Sequence, residues 1–334
     1  MSFFLRRTRK TDVESRYPLK PLPLDGVTTY PLADRKSKVT ADMFGKAPDG
    51  SDTVLGFISK LPHILAGDSL RTLIRAINDA RTSQKAIVWG LGGHVIKVGL
   101  GPVINDLMQH GFVTAVAMNG SAAIHDFEVA VGGATSEEVG DVLGSGKFGM
   151  VRETAEQMNG AINAAAHEDI SLGETLGQAI VSGGSAFPYS NISILAEAWR
   201  RSIPVTVHVA VGTDTIHAHP SASGEAIGKT SFHDFRLFSS VLQGLDGGGV
   251  YLNIGSAVLL PEVFLKAVSL VRNLGHPLEG FTTANLDFIQ HYRPTQNVLK
   301  RPTQNSGQSI ALTGHHEIMV PLLAAALKGS LESL

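Results

Sequence analysis

Apolar and polar positions follow two rhythms along this chain. From Asp68, the segment DSLRTLIRAINDA puts Leu70, Leu73, Ile74 and Ile77 on one side of a helical repeat, with Asp68 as its N-cap. Elsewhere, short apolar runs stop at glycine or at a polar turn and predict strands. These are Ala86 to Trp89, Phe112 to Met118, Ile203 to Ala210, Gly249 to Ile254, Gly280 to Leu286 and Ile310 to Thr313. Helical spacing fills the intervals. Pro102 suits a first turn, where a missing N–H is harmless, and Val103, Ile104, Leu107 and Met108 follow until Gly111. Residues 151 to 182 read as two helices punctuated by Gly173 and by Gly183–Gly184. Further helices are predicted over Ile192 to Arg201, Phe232 to Leu242, Val263 to Asn273 and Ile318 to Lys328.

Strand and helix alternate throughout, which predicts an α/β fold with a parallel sheet covered by helices on both faces. Residues 1 to 60 are rich in proline and charge and lack periodicity, so they read as an extended arm. Residues 61 to 334 read as one continuous domain. The stretch from 287 to 308 is too polar and proline-broken for core, and a loop of that length is expected to be functional or mobile.

Composition mainly excludes. The chain has 334 residues, no cysteine and a formal charge of −2, so disulfides, thiolate nucleophiles and cysteine–zinc sites are absent. A reducing cytoplasm fits that usage. The near-zero charge predicts no nucleic-acid partner, and no apolar run reaches membrane-spanning length. The basic group Arg6, Arg7, Arg9 and Lys10 reads as a solvated tail. An arm with no periodicity of its own predicts packing on another subunit, hence a homo-oligomer.

Polar clusters collect where predicted strands end, which is where open parallel sheets bind ligands. The turn Gly90 to Val95 follows the first strand, with Gly92, Gly93 and His94 at its tip. It lacks the third glycine of the dinucleotide fingerprint. Asn119, Gly120 and Ser121 follow the second strand, and then come His125, Asp126 and Glu128. A histidine beside a carboxylate suits proton transfer, so His125 tuned by Asp126 is a candidate base. Asp214, His217 and His219 follow the third. Two histidines at i and i+2 in extended chain point the same way and, with a carboxylate, suit a divalent metal. His315 and His316 form another pair. Lys300, in the long polar loop, reads either as an imine-forming lysine or as a solvated charge.

Taken in order, these segments resemble the deoxyhypusine synthase superfamily. SILAEAWRRSIPVTVHVAVGTDTIHAHP looks like that family's helix, its "IPV" strand and the loop that meets cofactor and substrate. FRLFSSVLQGLDGGGVYLNIGSAV resembles its helix, strand and "LGGGV" turn, and ALTGHHEIMVPLLAAAL its closing segment. GGHVIKVGLGPVINDLMQHGFVTAVAMNGSAAIHDFE and GFTTANLDF match in the same register, so the likeness spans about residues 85 to 328. It implies a Rossmann-like domain that binds NAD, and a tetramer. It also implies a cofactor site at Gly92, Gly93, His94, Val95, Asn119, Gly120, Ser121, Asp214, Gly255, Gly314 and His315. The departures are chemical. The family's acidic "EFDGSD" segment, which gathers a polyamine, is here FIQHYRPTQ. Its histidine after the glycine turn falls on Leu259 or Leu260, and its lysine falls near Lys300.

The expectation is therefore an NAD-dependent enzyme that acts on a C–N or C–OH bond of a small metabolite other than a polyamine. His125, His217 and Lys300 are expected to converge on one pocket whose positive lining suits an anionic or carbonyl-bearing substrate. Two alternatives stay open: a metal-dependent hydrolase or lyase using His217 and His219, and a nucleotide-binding oligomer without chemistry.

Overall fold

The computed structural model describes residues 15 to 331, so the Arg6 to Lys10 cluster lies outside the described residues. Two units divide the chain after Ala41. In the first, residues 15 to 41 hold a single-turn 3-10 helix, Leu32–Asp34, and bury no side chain.

The second unit is built on six parallel strands: β1 (Ile87–Leu91), β2 (Ala115–Asn119), β3 (Val205–His208), β4 (Val250–Ile254), β5 (Thr282–Asp287) and β6 (Gln308–Thr313). Their order is β3-β2-β1-β4-β5-β6. This is the doubly wound arrangement, in which the winding reverses between β1 and β4. Leu91 stands beside Met118 on one side and Ile254 on the other, so the three strands end level.

Among the described residues, twelve α-helices surround the sheet. In chain order they are α1 (Val54–Lys60), α2 (Leu65–Thr82), α3 (Gly93–Lys97), α4 (Gly101–Gln109), α5 (Gly120–Gly132) and α6 (Val139–Val142). Then come α7 (Arg152–Glu168), α8 (Leu172–Ser182), α9 (Ile194–Arg200), α10 (Gly224–Leu242), α11 (Leu259–Asn273) and α12 (His316–Leu331). Strand alternation assigns the two cores. Ile87, Trp89 and Leu91 pack with α2, α4, α5 and α12, whereas Val88, Ala115, Ala117 and Tyr251 pack with Phe238 of α10 and Phe264 of α11. The Tyr251 and Phe264 rings stack at 3.9 Å. Leu73 and Ile77 are fully buried and Leu70 and Ile74 nearly so, as the helical spacing predicts.

Three details refine the sequence pattern. Helix α1 lies within residues 1 to 60, yet its Ile58 is buried, and Lys46 N–H donates to Lys60 O at 2.8 Å. Gly173 is the second residue of α8, just past the break between α7 and α8. A Cβ there would lie 2.1 Å from Val205 O, so its smallness serves close helix–strand packing. The polar stretch after β5 is not all surface. A π-helical turn, Pro294–Lys300, buries Val298 and Leu299 beneath a bond from Asn297 Nδ2 to Glu262 Oε1 (2.8 Å).

The exposed edge of β3 is closed by side chains instead of another strand. Ser171 Oγ donates to Val205 O at 3.0 Å. Asp234, fully buried, accepts Val207 N–H at 2.7 Å and Leu172 N–H at 3.1 Å. Inward-turned acids of this kind prevent edge pairing. Asp234→Ala leaves two buried N–H groups without acceptors, and each orphan is worth roughly 1–3 kcal/mol. Urea unfolding is expected to show a loss of about 3 kcal/mol, with Asp234→Asn intermediate.

Candidate functional site

Three loops meet at the carboxyl ends of β1, β2 and β4. Gly92 N–H donates to Ile254 O at 2.9 Å, and a Cβ on Gly92 would lie 2.0 Å from Gly255 O. Gly255 has φ of +68°, which glycine adopts without strain. The β1 and β4 turns therefore touch backbone to backbone. A Cβ on Gly93 would lie 2.3 Å from Ser121 Oγ and 3.2 Å from His125 Cδ2, so the first turn also abuts α5. Val95 is buried beneath the turn as core. Asn119 caps α5 through Ala122 N–H at 2.9 Å.

An amide ladder holds the β4 and β5 ends. Asn253 Nδ2 donates to Ser256 O (2.9 Å) and to Asn285 Oδ1 (2.7 Å). Asn285 Nδ2 donates to Gln290 Oε1 (2.8 Å), whose Nε2 donates to Leu312 O (3.1 Å). Sequence reasoning missed this ladder, although a lone asparagine inside YLNIG and another inside TTANLD are its signal. Beyond it, His94 meets Phe288 and His316 edge to face, with centroids 5.7 and 5.4 Å apart. The sequence singles out Gly314 and His315, yet His315 is exposed and the buried residue is His316. Its Nε2 donates to Leu286 O at 3.1 Å, its Nδ1 has no partner, and burial holds its basicity down.

Beside this crevice opens a cleft of about 640 Å³ between α5, α7 and the loop after β3. His125 and Ser121 line it, with Lys97 as its lysine. Four carboxylates, Glu128, Glu137, Glu153 and Asp214, also line it. Its lining is thus acidic, which corrects the expectation of a positive site. His125 Nδ1 lies 2.7 Å from Thr135 Oγ1, and that hydroxyl donates to Glu128 Oε2 at 2.5 Å. Thr154 donates to Glu128 Oε1 at 3.2 Å. Burial raises the Glu128 pKa, but these bonds and the nearby imidazole outweigh it and hold the carboxyl below its usual range.

Asp126 is not the carboxylate beside His125. It is buried on the other side of α5 and accepts Ser193 Oγ (2.6 Å), Ile194 N–H (2.8 Å) and Leu195 N–H (3.0 Å), capping α9. Adjacent residues on a helix point about a quarter-turn apart, which spacing alone did not resolve.

Asp214 faces both the cleft and the start of α5. Its Oδ2 would lie 1.8 Å from a Cβ on Gly120, so its carboxylate occupies the space that glycine leaves. That oxygen has no hydrogen-bond partner, and burial pushes the acid up to about 6.

His217 Nε2, also without a hydrogen-bond partner, lies 3.8 Å from Asp214 Oδ2. His217 Nδ1 accepts from Gly212 N–H (3.2 Å) and Asp214 N–H (3.4 Å), closing a capping box on the turn Thr215–Ala218. Because that turn is 3-10 rather than extended, His217 and His219 do not point together, and His219 Nδ1 pairs with Ser221 Oγ at 2.8 Å. Among the described residues no group of three or more histidines and acids could hold a metal ion. Lys300 is exposed at the end of the π turn, on the crossover that leads down to the start of β6. It does not line the cleft. In the single chain, His125 is the one of His125, His217 and Lys300 that lines the cleft.

No family model and no curated protein matches the chain. Solved structures do. AgrE, in a ternary complex with ornithine and NAD+, matches with TM-score 0.52 at 14% identity over 79% of this chain. The chain spans 33% of the AgrE length. A protein described as a deoxyhypusine synthase, from Entamoeba histolytica, matches with TM-score 0.50 at 11% identity, covering 84% of this chain and 95% of that one. The chain has the deoxyhypusine synthase-like fold in a divergent form. Among the described residues no helix is long and apolar enough to cross a membrane.

Asp214 gives the site a pH signature. Its folded pKa, about 6, stands above the ordinary aspartate value of 3.8. Its contribution is therefore fully present at pH below the unfolded value and is lost as pH rises through about 6. Asp214→Asn keeps the neutral shape. Urea midpoints are expected to show the variant more stable at neutral pH by on the order of 2 kcal/mol, with the difference vanishing in acid.

Proposed function

We propose that the protein is an NAD-dependent enzyme that oxidises a C–N bond of a small cationic amine. The observation that carries this reading is the acidic cleft meeting the glycine crevice at His125. A cation leaving water needs carboxylates to replace its hydration, and Glu137, Glu153 and Asp214 are placed to supply them. An alcohol would gain little from such a lining, and an anion would be repelled.

A dinucleotide would lie over these glycine turns, at the rim of the cleft where Ser121 and His125 stand. Gly92 and Gly255 leave bare backbone where the winding reverses, and a side chain on Gly93 would fill the space before Ser121. Residues Gly92 to Val95 and Asn119 to Ser121 would border the cofactor, with Gly255 opposite. Bound there, NAD would supply a two-electron hydride acceptor. The chain's own tasks are to hold the amine, to exclude water and to take a proton. An ammonium must lose a proton before its carbon can give up hydride, and His125, at the junction of crevice and cleft, is the residue placed to accept it. The AgrE complex with ornithine and NAD+ supports pairing an amine with this fold.

Calorimetry is expected to show NAD binding, weakened at least tenfold by Gly93→Val, whose Cβ displaces Ser121 Oγ, with circular dichroism checking that the variant folds. Purified protein screened against small primary and secondary amines is expected to reduce NAD, and His125→Gln is expected to slow this by ~10²–10⁴. Absence of NAD binding at millimolar concentration would overturn the reading.

We also infer a homo-oligomer, most simply a tetramer. Tyr17, Leu19, Leu22 and Leu24 are 76–88% exposed in the single chain, and such apolar residues in a row call for cover. Light scattering at micromolar concentration is expected to give a tetramer mass, and removal of residues 1 to 41 to reduce it. A monomer mass for the full chain would refute the inference.

A further inference from the structure

We propose that Thr135 and Glu128 are positioning residues that lock His125 as its Nδ1–H tautomer, leaving Nε2 as the lone-pair nitrogen offered to the cleft. This rests on the reading of His125 as the proton acceptor, but its geometry and its test stand apart from cofactor and substrate.

The argument counts protons. Thr135 has one hydroxyl hydrogen and two neighbours, Glu128 Oε2 at 2.5 Å and His125 Nδ1 at 2.7 Å. A carboxylate can only accept. Glu128 stays ionised because Thr154, Thr135 and the imidazole all favour its charged form over the opposing effect of burial. The Thr135 hydrogen therefore goes to Glu128. What remains at Oγ1 is a lone pair, and only a protonated Nδ1 can use it. The neutral imidazole then carries no hydrogen on Nε2. No hydrogen bond occupies Nε2 among the described residues, and its neighbour Cδ2 lies beside Gly93, at the mouth between crevice and cleft.

The fold supplies the geometry. Helix α5 ends at Gly133, whose left-handed φ of +65° turns the chain back so that Thr135 returns to His125 ten residues earlier. The Tyr189 ring packs where a Cβ on Gly133 would stand. Thr154, from α7, fixes the far oxygen of Glu128. When Nε2 takes a proton the ring becomes an imidazolium, and the carboxylate 3.8 Å from Nδ1 stabilises the new charge through the hydroxyl. The logic parallels the buried acid that sets tautomer and orientation in hydrolase triads, with a hydroxyl inserted.

The tautomer can be read directly. Long-range ¹H–¹⁵N spectra of labelled protein at alkaline pH distinguish the two imidazole nitrogens, and His125→Gln assigns the signal by removing it. The wild type is expected to show Nδ1–H. Thr135→Val is expected to shift His125 toward Nε2–H, Thr135→Ser to restore Nδ1–H, and Glu128→Ala to give a mixture. In turnover, Thr135→Val is expected to lower kcat by about 100-fold with KM little changed. An Nε2–H wild type, or a Thr135→Val spectrum like the wild type, overturns the proposal. Should Thr135→Val fail to fold, the Ser and Glu128→Ala spectra decide it. An Nδ1–H signal in a protein that oxidises no amine would leave this inference standing and sink the proposed reaction.

Discussion

The contact between the β1 and β4 turns governs the rest of this structure. A doubly wound sheet must send its chain to one side after β1 and bring it back on the other through β4. At that reversal two loops leave adjacent strand ends in opposite directions and open a crevice between them. Here they are pinned rather than splayed. Gly92 N–H holds Ile254 O, and the Gly255 carbonyl fills the position of a Gly92 side chain. Any larger residue would part the strands by more than an ångström. The junction is thus close-packed backbone, with no side chain between the two turns. The amide ladder from Asn253 through Asn285 to Gln290 extends the same rigidity to β5 and β6.

Much of this frame is legible in the chain. Apolar runs that stop at glycine or a polar turn locate the six strands; β1 and β4 are buried at every position and show no polar side, whereas β6 alternates, with Ile310 and Leu312 buried. Helix α2 announces itself through Leu70, Leu73, Ile74 and Ile77. What the pattern misplaces is the role of individual residues. Gly173 reads as a stop, since glycine is a poor helix former, but the closeness of Val205 overrides propensity. The stretch holding Val298 and Leu299 reads as surface, since four buried residues, Pro294, Asn297, Val298 and Leu299, form no recognisable period.

The site divides along a similar line. Position along the chain places Asn119, Gly120, Ser121, His125 and Asp214 at strand ends, and topology alone brings those ends together. Orientation is another matter. His125 and Asp126 are neighbours in sequence but face different ways, one toward the cleft and one toward the cap of α9. His217 and His219 would align in a strand, but the chain turns there. Lys300 sits in a promising loop whose direction of travel is away from the ligand edge. Thr135 carries no signal at all, because its importance comes from a left-handed turn at Gly133 and from a helix, α7, more than twenty residues distant in sequence from Glu128.

Four carboxylates around one cleft would repel one another if all were charged alike, so the way each is treated defines the site. Glu128 is surrounded by donors and kept ionised. Asp214 is buried with a bare oxygen and driven toward its neutral form, titrating near 6. Glu137 is tied to Gly149 N–H at 2.6 Å, and Glu153 to Arg152 at 2.7 Å. Pairs of acids whose surroundings push them apart mark the division between a group that stores charge and a group that moves a proton. Glu128 can stabilise a cation formed on His125 without ever accepting the proton itself. Asp214 is the softer partner, protonated when the cleft is empty in mild acid and ready to ionise when a cation enters. A cation entering the cleft would draw Asp214 downward through its ordinary range and release a proton in doing so. An anionic ligand would do the reverse. On the proposed reading, the ionised wall favours a cation, and the raised Asp214 sets a pH near 6 below which the wall carries less charge.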